Sequence, residues 1–278
     1  MMRSFGVAAM LSFSLLYLDS GSAHEPLPAA QLVAAPRVLI IAHRGNSSVA
    51  PENTLPAFES AVKAGSDLVE LDYYHSLDRV PVVIHDNLLD RTTNAEAVLG
   101  ASKLLVEQTP LAELVKLDAG TWFDASFAGI KIPTLVESLE IIQAGSTTRI
   151  ERKGGDAATI VELLKEKKLL DRVVVQSFDW KYVAECRRLS PNLILAALSG
   201  KPANEQQLAA AAKTGAQIIA WKHDKIGKTQ IDQIHRLGCK AWVYTVDDQA
   251  RAQKLIADGI DGIITNKPEL MLKLVDRK

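Results

Sequence analysis

LVELDYYHSLDRVPVVIHD, running from Leu68 to Asp86, is the stretch whose reading decides the fold. Its first half alternates apolar and acidic residues. Successive side chains of a strand point to opposite faces, so Glu70 and Asp72 share one face. Its second half, Val82-Val83-Ile84-His85-Asp86, is β-branched and ends in a histidine. Only eight residues separate Asp72 from Pro81. A parallel crossover needs a dozen or more, so the second run should return antiparallel, through a turn at Leu77-Asp78-Arg79-Val80. That turn sets Asp72 opposite His85, roughly 5 Å away. Two carboxylates and an imidazole then meet on one side of a hairpin. Carboxylates buried together repel unless a proton or a cation intervenes. The alternative is a solvated hairpin face, because most charge lies on surfaces.

Upstream, Val38-Leu39-Ile40-Ile41-Ala42 is a continuous apolar run ending at His43-Arg44-Gly45. A strand buried on both faces of a parallel sheet has this pattern. Thr54 caps a helix that runs to about Ala64 and ends at Gly65. Downstream, residues 87–133 are long for a connection and carry their own helical pattern at Thr109 to Leu114. They read as an insertion lying over one end of the main body. From Pro133 the chain becomes regular. Helical patterns starting at Thr134, Ala157, Trp180, Glu205, Lys228, Asp248 and Pro268 alternate with apolar runs at Thr148, Val173, Leu193, Gln217, Ala241 and Gly262. With the hairpin arm set aside, eight strands alternate with helices, which predicts an α/β fold of the (β/α)8 TIM-barrel type. Barrel sites lie at the C-terminal ends of the strands. His43, Arg44, Glu70, Asp72, Glu151 and Lys153 all fall at such ends.

The chain is 47% hydrophobic and 23% charged, a globular composition, and its net charge is −1 with no Lys/Arg run. This excludes the basic stripe that a nucleic-acid partner requires. Residues 1–23 read as a secretory signal: Arg3, then an apolar run from Phe5 to Leu18, then Gly21-Ser22-Ala23. The run is short for a transmembrane helix, and an uncleaved anchor is the alternative. An exported protein, periplasmic or secreted, is therefore expected. Residues 24–36 are rich in Pro and Ala and read as a linker into a domain spanning 37–278. Export permits a disulfide between Cys186 and Cys239, but nothing in the sequence brings them together, and two small buried residues are the favoured reading.

His43-Arg44-Gly45, Pro51-Glu52-Asn53-Thr54, Val69-Glu70-Leu71-Asp72, Val83-Ile84-His85-Asp86 and Glu151-Arg152-Lys153 occur in one order. Together with Asp90-Arg91-Thr92-Thr93 and Thr245-Val246-Asp247 they resemble the glycerophosphodiester phosphodiesterase family, over nearly all of Val38 to Val275. The resemblance implies a phosphodiesterase-type TIM barrel with an insertion after the second histidine. It implies hydrolysis of glycerophosphodiesters to glycerol 3-phosphate and an alcohol. It also implies Glu70, Asp72 and Glu151 as metal ligands, His43 and His85 as an acid/base pair, and Arg44 and Lys153 as phosphate contacts. Two departures stand out. Arg79 occupies the hairpin turn where the family usually has Gly, which is at ease at positive φ. Tyr244 replaces the usual Trp before Thr245, while Trp242 lies two residues earlier on the same face, so either could line the alcohol pocket.

The chemistry gives these residue types a purpose. A phosphodiester is anionic, and three carboxylates alone would repel it; one divalent cation reverses that field. All-oxygen ligation suits Ca²⁺ or Mg²⁺. Two imidazoles can take a proton from the nucleophile and give one to the leaving alcohol near neutral pH. The glycerol 2-hydroxyl is the favoured nucleophile, giving a cyclic phosphate that water opens, with direct attack by water as the rival. The expected partner is a small phosphodiester. Membrane contact enters only if the substrate is a lysophospholipid, the alternative activity. A glycosidase built on Glu70 and Glu151 leaves His43, Arg44 and His85 without work. A non-catalytic barrel would be favoured by a lost catalytic position, and none is lost. His75, His223 and His235 read as solvated or surface residues. Trp122 and Phe123 read either as a cover for the site or as packing within the insertion.

Overall fold

The structure is a computed structural model and describes residues 28–275. The segment read as a signal lies outside the described residues. Eight parallel strands close into a barrel: β1 (Leu39–Ala42), β2 (Leu68–His75), β4 (Thr147–Arg152), β5 (Val173–Ser177), β6 (Ile194–Ser199), β7 (Ile218–Lys222), β8 (Lys240–Tyr244) and β9 (Gly262–Thr265). β1 pairs with both β2 and β9, which closes the ring. β3 (Pro81–Val83) lies antiparallel on β2 as the returning arm. Helices α2 (Leu55–Lys63), α5 (Leu135–Gln143), α6 (Ala157–Glu166), α7 (Trp180–Leu189), α8 (Glu205–Ala212), α9 (Lys228–Arg236), α10 (Gln249–Ala257) and α11 (Pro268–Leu272) follow the strands. The predicted (β/α)8 barrel is the observed fold.

The strands are buried on both faces, and alternate residues divide between two cores. Ile40, Val69, Leu71, Ile150, Val173, Val175 and Ile219 face the helices. Leu39, Ile41, Leu68, Val174, Ala196, Ala220 and Trp242 fill the barrel interior. A β-carbon on Gly262 would lie 2.8 Å from the Trp242 ring, so only glycine fits on that strand beside the indole. Cys186 and Cys239 are both free and buried, as two small core residues.

The hairpin differs from its expected register by one residue. Tyr73 pairs with Val83 and Tyr74 with Val82, and the Ile84 N–H donates to the Asp72 carbonyl. Asp72 therefore faces Ile84, and His85 follows the strand. The cause is the turn. The Ser76 N–H donates to the Val80 carbonyl, which leaves the three-residue loop Leu77-Asp78-Arg79 with Arg79 at φ +63. A three-residue loop ends in a left-handed residue, where the two-residue loop assumed from sequence would have shifted the pairing. His75, expected near solvent, is buried at 5% exposure. It packs against Gly155, whose missing β-carbon leaves the space that the ring fills. Thr54 does stand at the N-cap of α2, but its hydroxyl donates to the Pro51 carbonyl instead of accepting from the helix.

The insertion contains α3 (Ala95–Leu99), α4 (Leu111–Leu114) and two 3₁₀ turns. Its own small core joins Leu89, Val106, Leu114 and Leu117 to Val82 and Ile84 of the hairpin arm. Trp122 and Phe123 pack edge-on within the insertion, and Phe123 stacks in the same way on Phe127. Among the described residues no helix is long and apolar enough to cross a membrane.

Part of the stretch read as a linker is structured. Helix α1 (Ala29–Val33) places Ala29, Leu32 and Val33 in one apolar cluster with Leu39, Leu68, Ile194 and Ile218, at the N-terminal ends of the strands. Five residues are too few to show helical periodicity in a Pro/Ala-rich sequence, so this plug is not legible from the residues alone. Leu32→Ala is expected to lower unfolding stability by about 2 kcal/mol, read by urea denaturation. An unchanged midpoint would show that the plug adds nothing.

Candidate active site

Three acids converge at the C-terminal mouth of the barrel because of strand register. Asp72 of β2 lies beside Glu151 of β4, and Glu70 lies one step below, beside Arg149. One oxygen from each of Glu70, Asp72 and Glu151 can be chosen so that all lie within 4.8 Å of one another, and all three residues are buried. Burial and the neighbouring Asp72 push both Glu70 and Glu151 up to about 7. For Asp72 burial acts in the same direction, but Lys153 and Arg44 outweigh it and hold its carboxyl below the usual range. Three carboxylate groups in such proximity, with no imidazole or thiolate among them, form a donor set suited to a hard divalent cation.

Local backbone geometry brings the counter-charges in. Arg44 sits at φ +56, and its N–H donates to Glu70 (2.9 Å). Its side chain reaches Asp72 (3.3 Å) and Glu52 (2.8 Å). The next residue must be glycine, since a β-carbon on Gly45 would meet Ala57 at 2.6 Å. Asn53, also left-handed at φ +58, clamps Asp72 from two sides: its amide donates to the carboxylate (2.9 Å), and its oxygen accepts from the Asp72 N–H (3.1 Å). Non-glycine residues rarely take this conformation, and here two of them border the acid cluster. Lys153 contacts Glu151 (2.5 Å) and Asp72 (3.3 Å).

The two histidines line the same cavity of about 370 Å³ as Arg44, Glu70, Glu151 and Lys153. Each is held at Nδ1 by a different kind of group. His43 Nδ1 lies 2.7 Å from Asn266 Oδ1. Asn266 donates its amide to Asp247 (2.6 Å), and Asp247 also accepts from the Asn266 N–H and the Thr265 hydroxyl. A carboxylate can only accept, so the Asn266 oxygen faces His43 and the proton sits on His43 Nδ1, leaving Nε2 unprotonated in the neutral ring. Burial and then Arg44 lower the His43 pKa. His85 Nδ1 lies 2.6 Å from Asp86, a carboxylate that Arg91 fixes from the other side. Arg91 also binds Glu52, which completes a chain back to Arg44.

The structure separates Tyr244 from Trp242, the two candidates for the alcohol pocket. Tyr244 lines the cavity, but Trp242 does not. Trp242 is fully buried one layer below, with the Arg149 guanidinium 4.9 Å from its ring centre. Tyr244 is the last residue of β8 and Trp242 lies two residues deeper on the same face, so only the later one reaches the opening. His223, read as surface, also lines the cavity.

Arg149 and Gln176 were not singled out from the sequence. Gln176 donates to Glu70 (3.1 Å) and Glu151 (3.0 Å). Arg149 is 1% exposed and lines the cavity floor, and burial pulls it down to about 10. Its Nε and one terminal nitrogen have no partner among the described residues, and neither do Gln176 Oε1 and the Tyr244 hydroxyl. The signal was available, since Arg149 stands two residues before Glu151 and so shares its face.

The sequence profile of the glycerophosphoryl diester phosphodiesterase family matches residues 43–270. The chain belongs to this family. Its members are phosphoric diester hydrolases, and the matched span takes in every residue of the acid cluster and both histidines. The Bacillus subtilis protein YhdW is 37% identical over 243 residues, covering 84% of this chain and 96% of that one. A glycerophosphodiester phosphodiesterase of Caldanaerobacter subterraneus is 33% identical over 86% of this chain and 98% of its own length. Among solved structures, an Oleispira antarctica phosphodiesterase in complex with the product sn-glycerol-3-phosphate superposes with a TM-score of 0.78 at 30% identity, covering 86% of this chain and 96% of that one.

Protons and a cation would compete for Glu70 and Glu151, whose raised pKa values keep them largely protonated in mild acid. Affinity for Ca²⁺ or Mg²⁺ is therefore expected to rise with pH, by roughly ten-fold or more between about pH 5.5 and 8. Isothermal titration calorimetry would read this, and a pH-independent affinity would show that the two carboxyl groups are already ionised at about pH 5.5.

Proposed function

We propose that this chain is an exported, divalent-cation-dependent enzyme that hydrolyses glycerophosphodiesters to glycerol 3-phosphate and an alcohol, with His43 and His85 as its acid/base pair. The observation that carries the proposal is the meeting of three buried carboxylates, two oriented imidazoles and two flanking cations at one barrel mouth. Glu70, Asp72 and Glu151 would hold the cation, which when bound polarises a phosphoryl oxygen and offsets the acids. Arg44 and Lys153 draw in the anionic phosphoryl group. Arg149 adds a further positive charge beneath the acids, suited to the charge that oxygen gains in the transition state. The unpartnered polar atoms of Arg149 and Gln176 at the closed end suit a glycerol bearing several hydroxyls.

The groups behind the histidines divide the labour. Neutral Asn266 leaves His43 as an uncharged ring with Nε2 free to accept a proton. Burial lowers the His85 pKa, and the Asp72 and Asp86 carboxylates work against it by favouring the protonated ring. His43 therefore takes the proton of the glycerol 2-hydroxyl as it attacks phosphorus, and His85 gives one to the departing alcohol. Water then opens the cyclic phosphate with the two roles exchanged, since a group that gave its proton becomes the base.

With glycerophosphocholine as substrate, glycerol 3-phosphate release is expected to stop in EDTA and return on adding Ca²⁺ or Mg²⁺. His43→Ala and His85→Ala should each lower kcat by about 10²- to 10⁴-fold. With a 4-nitrophenol leaving group, which departs without a proton, nitrophenolate release in the first turnover should recover most of its loss in His85→Ala and not in His43→Ala. Activity undiminished by EDTA, or by either substitution, would overturn the proposal.

A further inference from the structure

Beyond the catalytic cavity lies a second cleft of about 620 Å³, whose lining includes Phe178, Trp180, Lys181, Leu198, Lys201 and Gln207. It borders the first cavity directly, because Phe178 and Leu198 line both. Phe178 forms the divide. It is 49% exposed, its ring meets Tyr244 edge-on at 5.8 Å, and Lys153 Nζ approaches it at the same distance. A group leaving phosphorus near Lys153 therefore has a wall in common with this cleft. Arg149 and Gln176, both buried on β4 and β5, line the inner part of the first cavity.

The cleft has a definite charge. Lys181 and Lys201 are exposed and make no ion pair among the described residues. The carboxylate in its lining, Asp179, is already engaged: it caps α7 by accepting from the Lys181 and Tyr182 N–H groups, and it pairs with Arg152 at 3.2 Å. Lys222, on the rim of the first cavity, shares Asp224 with Lys225. No uncommitted carboxylate faces a cationic head group, whereas two free ammonium groups face an anionic one. Gln207 keeps a buried side-chain oxygen with no partner among the described residues, an acceptor for a ligand hydroxyl.

We propose that this cleft is the subsite for the leaving alcohol, and that it selects polyhydroxylated alcohols bearing an anionic group over cationic ones. The inference rests on the hydrolytic reading above and names the substrate class of that same site. Lys181 and Lys201 bind the anionic group, Gln207 accepts from a hydroxyl, and Phe178 and Trp180 give the ring or chain between them an apolar surface.

The test compares kcat/KM for glycerophosphoinositol 4-phosphate, glycerophosphoinositol and glycerophosphocholine, using the full chain with saturating Mg²⁺ or Ca²⁺ at low ionic strength. The anionic substrate is expected to exceed the choline ester by about ten-fold or more, with the neutral polyol between them. The double substitution Lys181→Glu, Lys201→Glu should remove or reverse that order. Both side chains are exposed, so barrel packing is untouched. Added salt should shrink the preference in the wild type. Hydrolysis of all three substrates without charge preference, or a preference that survives the double substitution, would overturn the cleft assignment and leave the hydrolytic reading standing. Hydrolysis of none would overturn both.

Discussion

Three carboxylates buried within 4.8 Å of one another at a barrel mouth are the constraint on which the remaining structure depends. Their mutual repulsion and loss of hydration would expel them unless positive charge were supplied close by. The chain supplies it from three directions. Arg44 comes from the end of β1, Lys153 from the end of β4, and Arg149 from within the barrel. Asn53 and Gln176 add neutral hydrogen bonds that fix the carboxylate orientations without altering the charge. A divalent cation would enter a site whose ligands are already oriented, so little conformational freedom remains to be lost on binding.

The barrel and its loops contribute differently to this arrangement. Register along β2 and β4 sets the spacing of the acids with the stiffness of a closed sheet. The histidines stand on the segments that follow β1 and β3, His43 held directly and His85 through Asp86 by groups from elsewhere in the chain. Asn266 and Asp247 come from the far side of the barrel closure, while Arg91 reaches in from the insertion. The insertion thereby orients His85 through Asp86 and does not cover the cavity with its aromatic residues. At the other end, α1 seals the interior beneath Leu39 and Leu68. The site is open at one mouth and supported by a packed floor at the other.

Much of this was legible in the sequence, because strands buried on both faces are long apolar runs whose polar residues stand out at their ends. Glu70, Asp72 and Glu151 could be placed on one mouth by counting alternate residues. The order of β and α patterns gave the barrel. What escaped has physical causes. The hairpin register turned on whether Arg79 would accept a left-handed conformation, which its side chain does not announce. Helix α1 is shorter than one period of amphipathic pattern can show. Trp242 and Tyr244 share a face, and depth within the closed barrel, invisible in one strand, decided which of them meets the cavity. The Asp247–Asn266–His43 chain joins residues more than 200 positions apart, and only closure of the ring brings them together.

A crystal soaked in Mn²⁺ and measured near the manganese absorption edge would test the arrangement most directly. A single strong anomalous peak bounded by Glu70, Asp72 and Glu151, absent from crystals of Glu151→Gln, is the expected result. A peak elsewhere in the molecule, with none among these three side chains, would contradict it.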